Sequence, residues 1–146
     1  MTARIALALL WLAALLGALL VTEAYFWVHD ADGYPLLLPP DRSSVYPPVV
    51  AIYSATIAPL LAALYFRPFA PPASAPRGKA LNRLALALTG FYNALLLYLL
   101  AQGFWHRGIG IEEIVSQAKQ AALLLGFLVV PVNAYYFGIK GKAGED

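Results

Sequence analysis

The stretch IALALLWLAALLGALLVTEAYFW, Ile5–Trp27, contains a single charge, Glu23, close to its C-terminal end. An α-helix needs about 20 apolar residues to cross roughly 30 Å of hydrocarbon, and this run is long enough. It closes on Tyr25, Phe26 and Trp27, amphipathic rings of the kind that settle at a membrane–water boundary. A secretory leader is the competing reading, since Arg4 precedes the run and Thr22-Glu23-Ala24 resembles a poor cleavage site. A leader's apolar region is usually about 7–15 residues, whereas Ile5–Val21 is unbroken for 17. We therefore expect a retained membrane helix.

Three further runs have the same character: Val49–Phe66, Leu84–Trp105 and Ala121–Phe137. Across the 146 residues, 61% are hydrophobic and 12% charged, about half the charged share of a soluble domain. The expected fold is an all-α integral membrane protein in which four transmembrane helices pack as two hairpins. One domain accounts for the whole chain, with spans near 5–27, 48–66, 84–105 and 111–138. Pro47-Pro48 suits the first turn of the second helix. Pro59 lies within it, removing one backbone bond that neighbouring helices can compensate in a membrane. The fourth helix is extended back to Ile111 because Ile111, Ile114, Val115 and Ala118 fall at helical spacing. Glu112 and Glu113 are also well placed at its N-terminus.

Counting Lys and Arg orients the spans. Arg4, Arg67, Arg77, Lys79, Arg83, Lys140 and Lys142 fall on one side, and Arg42, Arg107 and Lys119 on the other. Positive residues accumulate in the cytoplasm, so both termini are expected inside, in a bacterial inner membrane. The outer loop, 28–47, carries Asp30, Asp32 and Asp41 against Arg42, with a turn signal at Asp32-Gly33. Its apolar segment Pro35-Leu36-Leu37-Leu38-Pro39 is expected to rest on the bilayer surface or on a partner. The inner connection, 67–83, is rich in Pro, Ala, Ser and basic residues and reads as a linker drawn to anionic headgroups. A faint duplication shows in the aromatic ends: Phe26-Trp27 against Phe104-Trp105, and Tyr65-Phe66 against Tyr136-Phe137. Such aromatic ends also arise without common descent.

The chemistry-bearing residues are few. Glu23 is the acidic residue within a span, which makes it a candidate for ion coupling. It lies only about one turn below the surface, where pairing with Arg107 or capping of a wet outer pocket is the expected arrangement. His29 and His106 follow the two outer Trp residues and could ligate haem or a divalent metal, or bond a quinone headgroup. Interfacial histidines also occur without any ligand. Asn93 and Asn133, with Tyr92 and Thr89, form a polar intramembrane set. They could line a small cavity, although side-chain amides in lipid more often bond across helices and set register. Ala13-x-x-x-Gly17 and Ala14-x-x-x-Ala18 offer faces for close helix packing.

The chain contains no Cys, which excludes thiolate metal sites and a Cys nucleophile. We find no nucleophile–base pair, no glycine-rich phosphate loop and no metal-ligand spacing. The net charge of +2 is too small and too scattered to suggest nucleic acid. No catalytic residue is singled out and no cofactor is required. The expected role is non-enzymatic, as an accessory or assembly subunit of a larger inner-membrane complex that contacts lipid and other membrane subunits or itself. The alternatives are a small channel or transporter using Glu23 and the Asn93/Asn133 region, and a haem- or quinone-binding redox subunit using His29 and His106.

Overall fold

The computed structural model describes residues 3–29, 32–66, 79–106 and 108–137. They contain four long helices: α1 (Ala3–Trp27), α2 (Arg42–Phe66), α3 (Lys79–Ala101) and α4 (Ile111–Phe137). All four are long and apolar enough to cross a membrane, the pattern of a multi-pass membrane protein. Among the described residues there is no strand, and extended pairing is limited to an isolated bridge between His29 and Pro35. The connection at 67–78, Arg107 and the tail from 138 lie outside the described residues.

Helix α2 starts at Arg42, earlier than the expected 48, so Pro47 and Pro48 lie inside it rather than in its first turn. A 3-10 turn, Pro39–Asp41, leads the chain into the helix, closed by the Asp41 amide donating to the Leu38 carbonyl at 3.0 Å. Ser43 and Ser44 then donate through their hydroxyls to the carbonyls of Pro40 and Asp41, at 3.4 and 2.8 Å. The two prolines deprive only the carbonyls of Ser43 and Ser44 of their intrahelical partners. Both serines are exposed, so water can satisfy those carbonyls. Helix α3 likewise begins at Lys79 rather than Leu84, because hydropathy marks only the part of a helix that meets lipid. It ends at Ala101 and tightens into a 3-10 turn over Gln102–Phe104.

Helix α1 lies against α2 and α3, and α4 against the same two, so the helices run α1–α2–α4–α3 around the bundle. Large side chains fill the centre: Trp11 and Leu7 from α1, Tyr53 and Leu60 from α2, Leu96 and Leu100 from α3, and Val129 from α4. Ala14 and Ala18 are buried on the inner face of α1, whereas Ala13 faces outward. A Cβ placed on Gly17 would touch the Leu97 side chain at 3.4 Å, so α1 and α3 approach closely there. Between apolar helices in lipid, such packing supplies the association energy that water would provide in a soluble core. The outward faces are apolar as well: Leu16, Leu20, Leu123, Leu124 and Phe127 are each more than 60% exposed.

Polar bonds close both ends. At one end the Arg4 guanidinium donates to the Tyr136 carbonyl in the last turn of α4. The Tyr136 hydroxyl in turn donates to Asn82 at 2.6 Å, joining α1, α3 and α4. At the other end the 32–41 segment folds back on the bundle. The amides of Leu36 and Leu37 donate to the carbonyls of Val28 and Tyr25, at 3.0 and 3.1 Å. Gly33 takes φ +84° in the turn, a conformation open to glycine at little cost. Leu37 is buried in the protein's own core at 1% exposed, while Leu36 and Leu38 point outward. The expected surface-lying segment is therefore anchored through its central residue to the bundle.

Candidate functional site

The rim of the bundle next to the 32–41 segment gathers most of the chemistry. Glu23 sits one turn before the end of α1, on the face towards the start of α2. Its carboxylate accepts from the Arg42 guanidinium at 3.1 Å and from the Tyr46 hydroxyl. The Arg42 guanidinium also lies over the Phe26 ring, 4.3 Å from its centroid, and Tyr46 stacks on the same ring at 6.4 Å. Arg42 and Tyr46 are one helical turn apart, as are Glu23 and Phe26. Each helix thus presents a charged and an aromatic side chain to the other. The observed partner of Glu23 is Arg42; the expected one, Arg107, lies outside the described residues.

A neutral arrangement joins α1, α3 and α4 at the same rim. The Tyr25 hydroxyl donates to the Leu100 carbonyl at 2.6 Å and accepts from the Gly103 amide at 3.0 Å. One phenol therefore satisfies two backbone groups at the frayed end of α3. Its ring stacks on Phe104 at 4.3 Å with the planes 12° apart. Gly103 is needed for space, since a Cβ there would lie 2.8 Å from both the Tyr25 ring and Ile114. Beside it, the Gln102 amide donates to Gln117 at 2.8 Å, and Gln117 donates to Glu113 at 3.3 Å. His29 and His106 are both exposed at this rim. Among the described residues, no three His, Asp or Glu side chains come together as a metal site would require.

Halfway along the bundle a second polar group is enclosed. Trp11 packs edge-on to Tyr53 at 6.5 Å and tilted against Tyr92 at 5.7 Å. The Tyr92 hydroxyl donates across to the Ala122 carbonyl of α4 at 3.1 Å. Asn93 behaves otherwise than expected: its amide donates at 2.9 Å to the Thr89 carbonyl of its own helix, not across to a neighbour. The Asn93 and Asn133 side-chain oxygens, the Thr89 and Tyr53 hydroxyls and the Trp11 indole N–H have no protein partner among the described residues. All five residues are at most 5% exposed. Sequence reasoning singled out Glu23, Tyr92, Thr89, Asn93 and Asn133 as candidates but not Arg42, Tyr46, Tyr25, Gln102, Gln117 and Trp11, which the structure places beside them. A signal existed for Arg42 and Tyr46: the i, i+4 spacing is meaningful once the helix is allowed to begin before its prolines. Trp11 offered none, being one more apolar residue in an apolar run. No protein-family model, curated protein or solved structure matches the chain.

Proposed function

We propose that this chain acts by contact, as a non-enzymatic accessory or assembly subunit of a larger complex in a bacterial inner membrane. In this reading the helices pair as hairpins α1/α2 and α3/α4 with both termini in the cytoplasm. The excess of Lys and Arg at the N-terminus, in the 67–83 connection and in the tail supports that direction. The observation that carries the reading is the constructed rim. Backbone bonds and the buried Leu37 hold the 32–41 segment against the helix ends, while Trp27, Tyr34, Leu38 and Trp105 remain at least 48% exposed around it. An ordered platform of exposed aromatic and aliphatic side chains suits a membrane-embedded or membrane-adjacent partner. Glu23 fits this reading as the clamp between α1 and α2. Gentle detergent extraction from the native membrane, followed by mass spectrometry of what co-purifies, tests it. A stoichiometric partner is expected, weakened when Trp27 and Tyr34 are changed to Ser. A chain that migrates alone would overturn the reading.

A channel or transporter is the second reading, favoured by the five buried polar atoms at and below mid-depth. Flux in proteoliposomes that falls in Asn133→Ala would support it, and flux at the level of empty vesicles would dismiss it. A haem- or quinone-binding role through His29 and His106 predicts a visible or ultraviolet cofactor band in the purified protein.

A further inference from the structure

The seam between α2 and α4 is open over part of its length. A groove of about 410 Å³ runs down it, walled by Ala51 and Ala55 of α2 and by Ala122 and Gly126 of α4, with Tyr92 as its floor and Lys119 near its mouth. It reaches as far as Val130. The eleven helical steps from Lys119 to Val130 amount to roughly 16 Å, about half the hydrocarbon thickness. The groove therefore has the depth of one leaflet, opens sideways, and begins at a cation. A second, smaller hollow of about 220 Å³ shares Lys119 and Pro48 with it and continues upward between Ser44, Glu112 and Ser116. Glu112 is in the first turn of α4, two turns nearer water than Lys119 and on the same face. Among the described residues, neither Glu112 nor Lys119 has an ion-pair partner.

From the membrane centre outward the order is apolar channel, cation, hydroxyls, anion. We propose that the α2–α4 groove is a binding site for one zwitterionic aminophospholipid of the ethanolamine type. Its acyl chain lies over Ala55, Gly126 and Tyr92. Its phosphate meets the Lys119 ammonium and the Ser116 hydroxyl, and its own ammonium reaches the Glu112 carboxylate. Helical side chains lean towards the helix N-terminus, which carries the long Lys119 chain up to phosphate depth while its stem stays in the apolar wall. Glu112 supplies the selectivity. It repels the headgroup of an anionic lipid and finds no N–H to bond on a choline. This site is independent of whether the chain belongs to a larger assembly.

Native mass spectrometry of the full chain in mild detergent tests the site, with phosphatidylethanolamine, phosphatidylglycerol and phosphatidylcholine of matched chains as probes. One phosphatidylethanolamine should be retained about tenfold more tightly than either other lipid, the worth of one charge-assisted hydrogen bond. Lys119→Gln should weaken all three lipids and Lys119→Arg should restore them. Glu112→Gln should erase the preference for ethanolamine while leaving retention itself. Gly126→Leu fills the groove, and since a Cβ at Gly126 meets nothing within 4 Å, it should abolish retention without harming the fold. The proposal is overturned by equal retention of the three lipids, or by retention unchanged in both Lys119→Gln and Gly126→Leu. It is equally overturned if the groove proves to hold a second copy of the chain, read as a dimer that Gly126→Leu dissociates.

Discussion

Substituting Gly103 by Ala tests how the rim is built. The added methyl would lie 2.8 Å from the Tyr25 ring carbon Cε1, from its hydroxyl oxygen and from Ile114 Cδ1. The end of the Ile114 side chain can rotate away. Tyr25 cannot, because it is 2% exposed, stacked on Phe104 and bonded at its hydroxyl to both Leu100 and Gly103. To admit the methyl the phenol must withdraw, giving up two hydrogen bonds worth about 1 kcal/mol each. The overpacking that remains costs typically about 1–3 kcal/mol, against which the better helix propensity of Ala returns under about 1 kcal/mol. The net expectation is a loss of about 2–4 kcal/mol, measured as a shifted midpoint for unfolding in mixed micelles of increasing sodium dodecyl sulfate. Gly126→Ala, with open space around its Cβ, is the control and should gain about 0.5–1 kcal/mol. The Tyr25→Ala/Gly103→Ala pair should be less destabilising than the sum of its members, since removing the ring removes the collision. Gly103→Ala matching the wild-type midpoint would refute this account of the rim.

Other changes follow from the same contacts. Glu23→Gln keeps an acceptor for Tyr46 and loses only a partly exposed ion pair, so it should cost no more than about 1 kcal/mol in the same titration. A loss several times larger would mean the carboxylate is more deeply coupled than its contacts indicate. Tyr136→Phe removes the bond to Asn82 and should cost about 1 kcal/mol; Asn82→Ala added to it should cost nothing further. Tyr53→Phe removes a buried hydroxyl that has no protein partner, so stability should hold or rise slightly. A fall in stability would show that the hydroxyl is bonded.

The membrane class, the helix count and the whole of α4 were legible because lipid demands runs of a fixed length that polar residues interrupt. The starts of α2 and α3 were not, for the same reason: Arg42 and Lys79 are helical but polar, and hydropathy registers solvent rather than backbone geometry. Glu23 was visible as a lone charge, yet choosing between Arg42 and Arg107 needed the angle at which α2 meets α1. That angle depends on how the 32–41 segment folds around Leu37, a residue that looks like its two exposed neighbours. The amide side chains misled differently. Asn93 satisfies its donor on the preceding turn of its own helix, an option open to any Asn in a helix and invisible at the level of spacing.

The α1–α3 and α2–α4 seams of the bundle differ in kind, and composition explains why. Between α1 and α3 the chain places Trp11, Tyr25, Gly17, Tyr92, Leu97 and Phe104, large rings set against a small residue, and the contact there is close. All the prolines within the helices lie in the other pair, Pro47, Pro48 and Pro59 in α2 and Pro131 in α4. Proline removes a backbone donor and its ring displaces the preceding turn. A helix carrying several of them is therefore hard to seat against a neighbour along its full length. Between such helices the facing residues are Ala51, Ala55, Ala122 and Gly126, too small to fill what the backbones leave. If this cause is right, Gly126→Leu, which fills the hollow, should stabilise the bundle in lipid-free detergent, and should do so less in membranes rich in phosphatidylethanolamine, where the bound lipid already supplies that packing. Equal stabilisation in both settings would separate the groove from its proposed occupant while leaving the proline explanation of the seam intact.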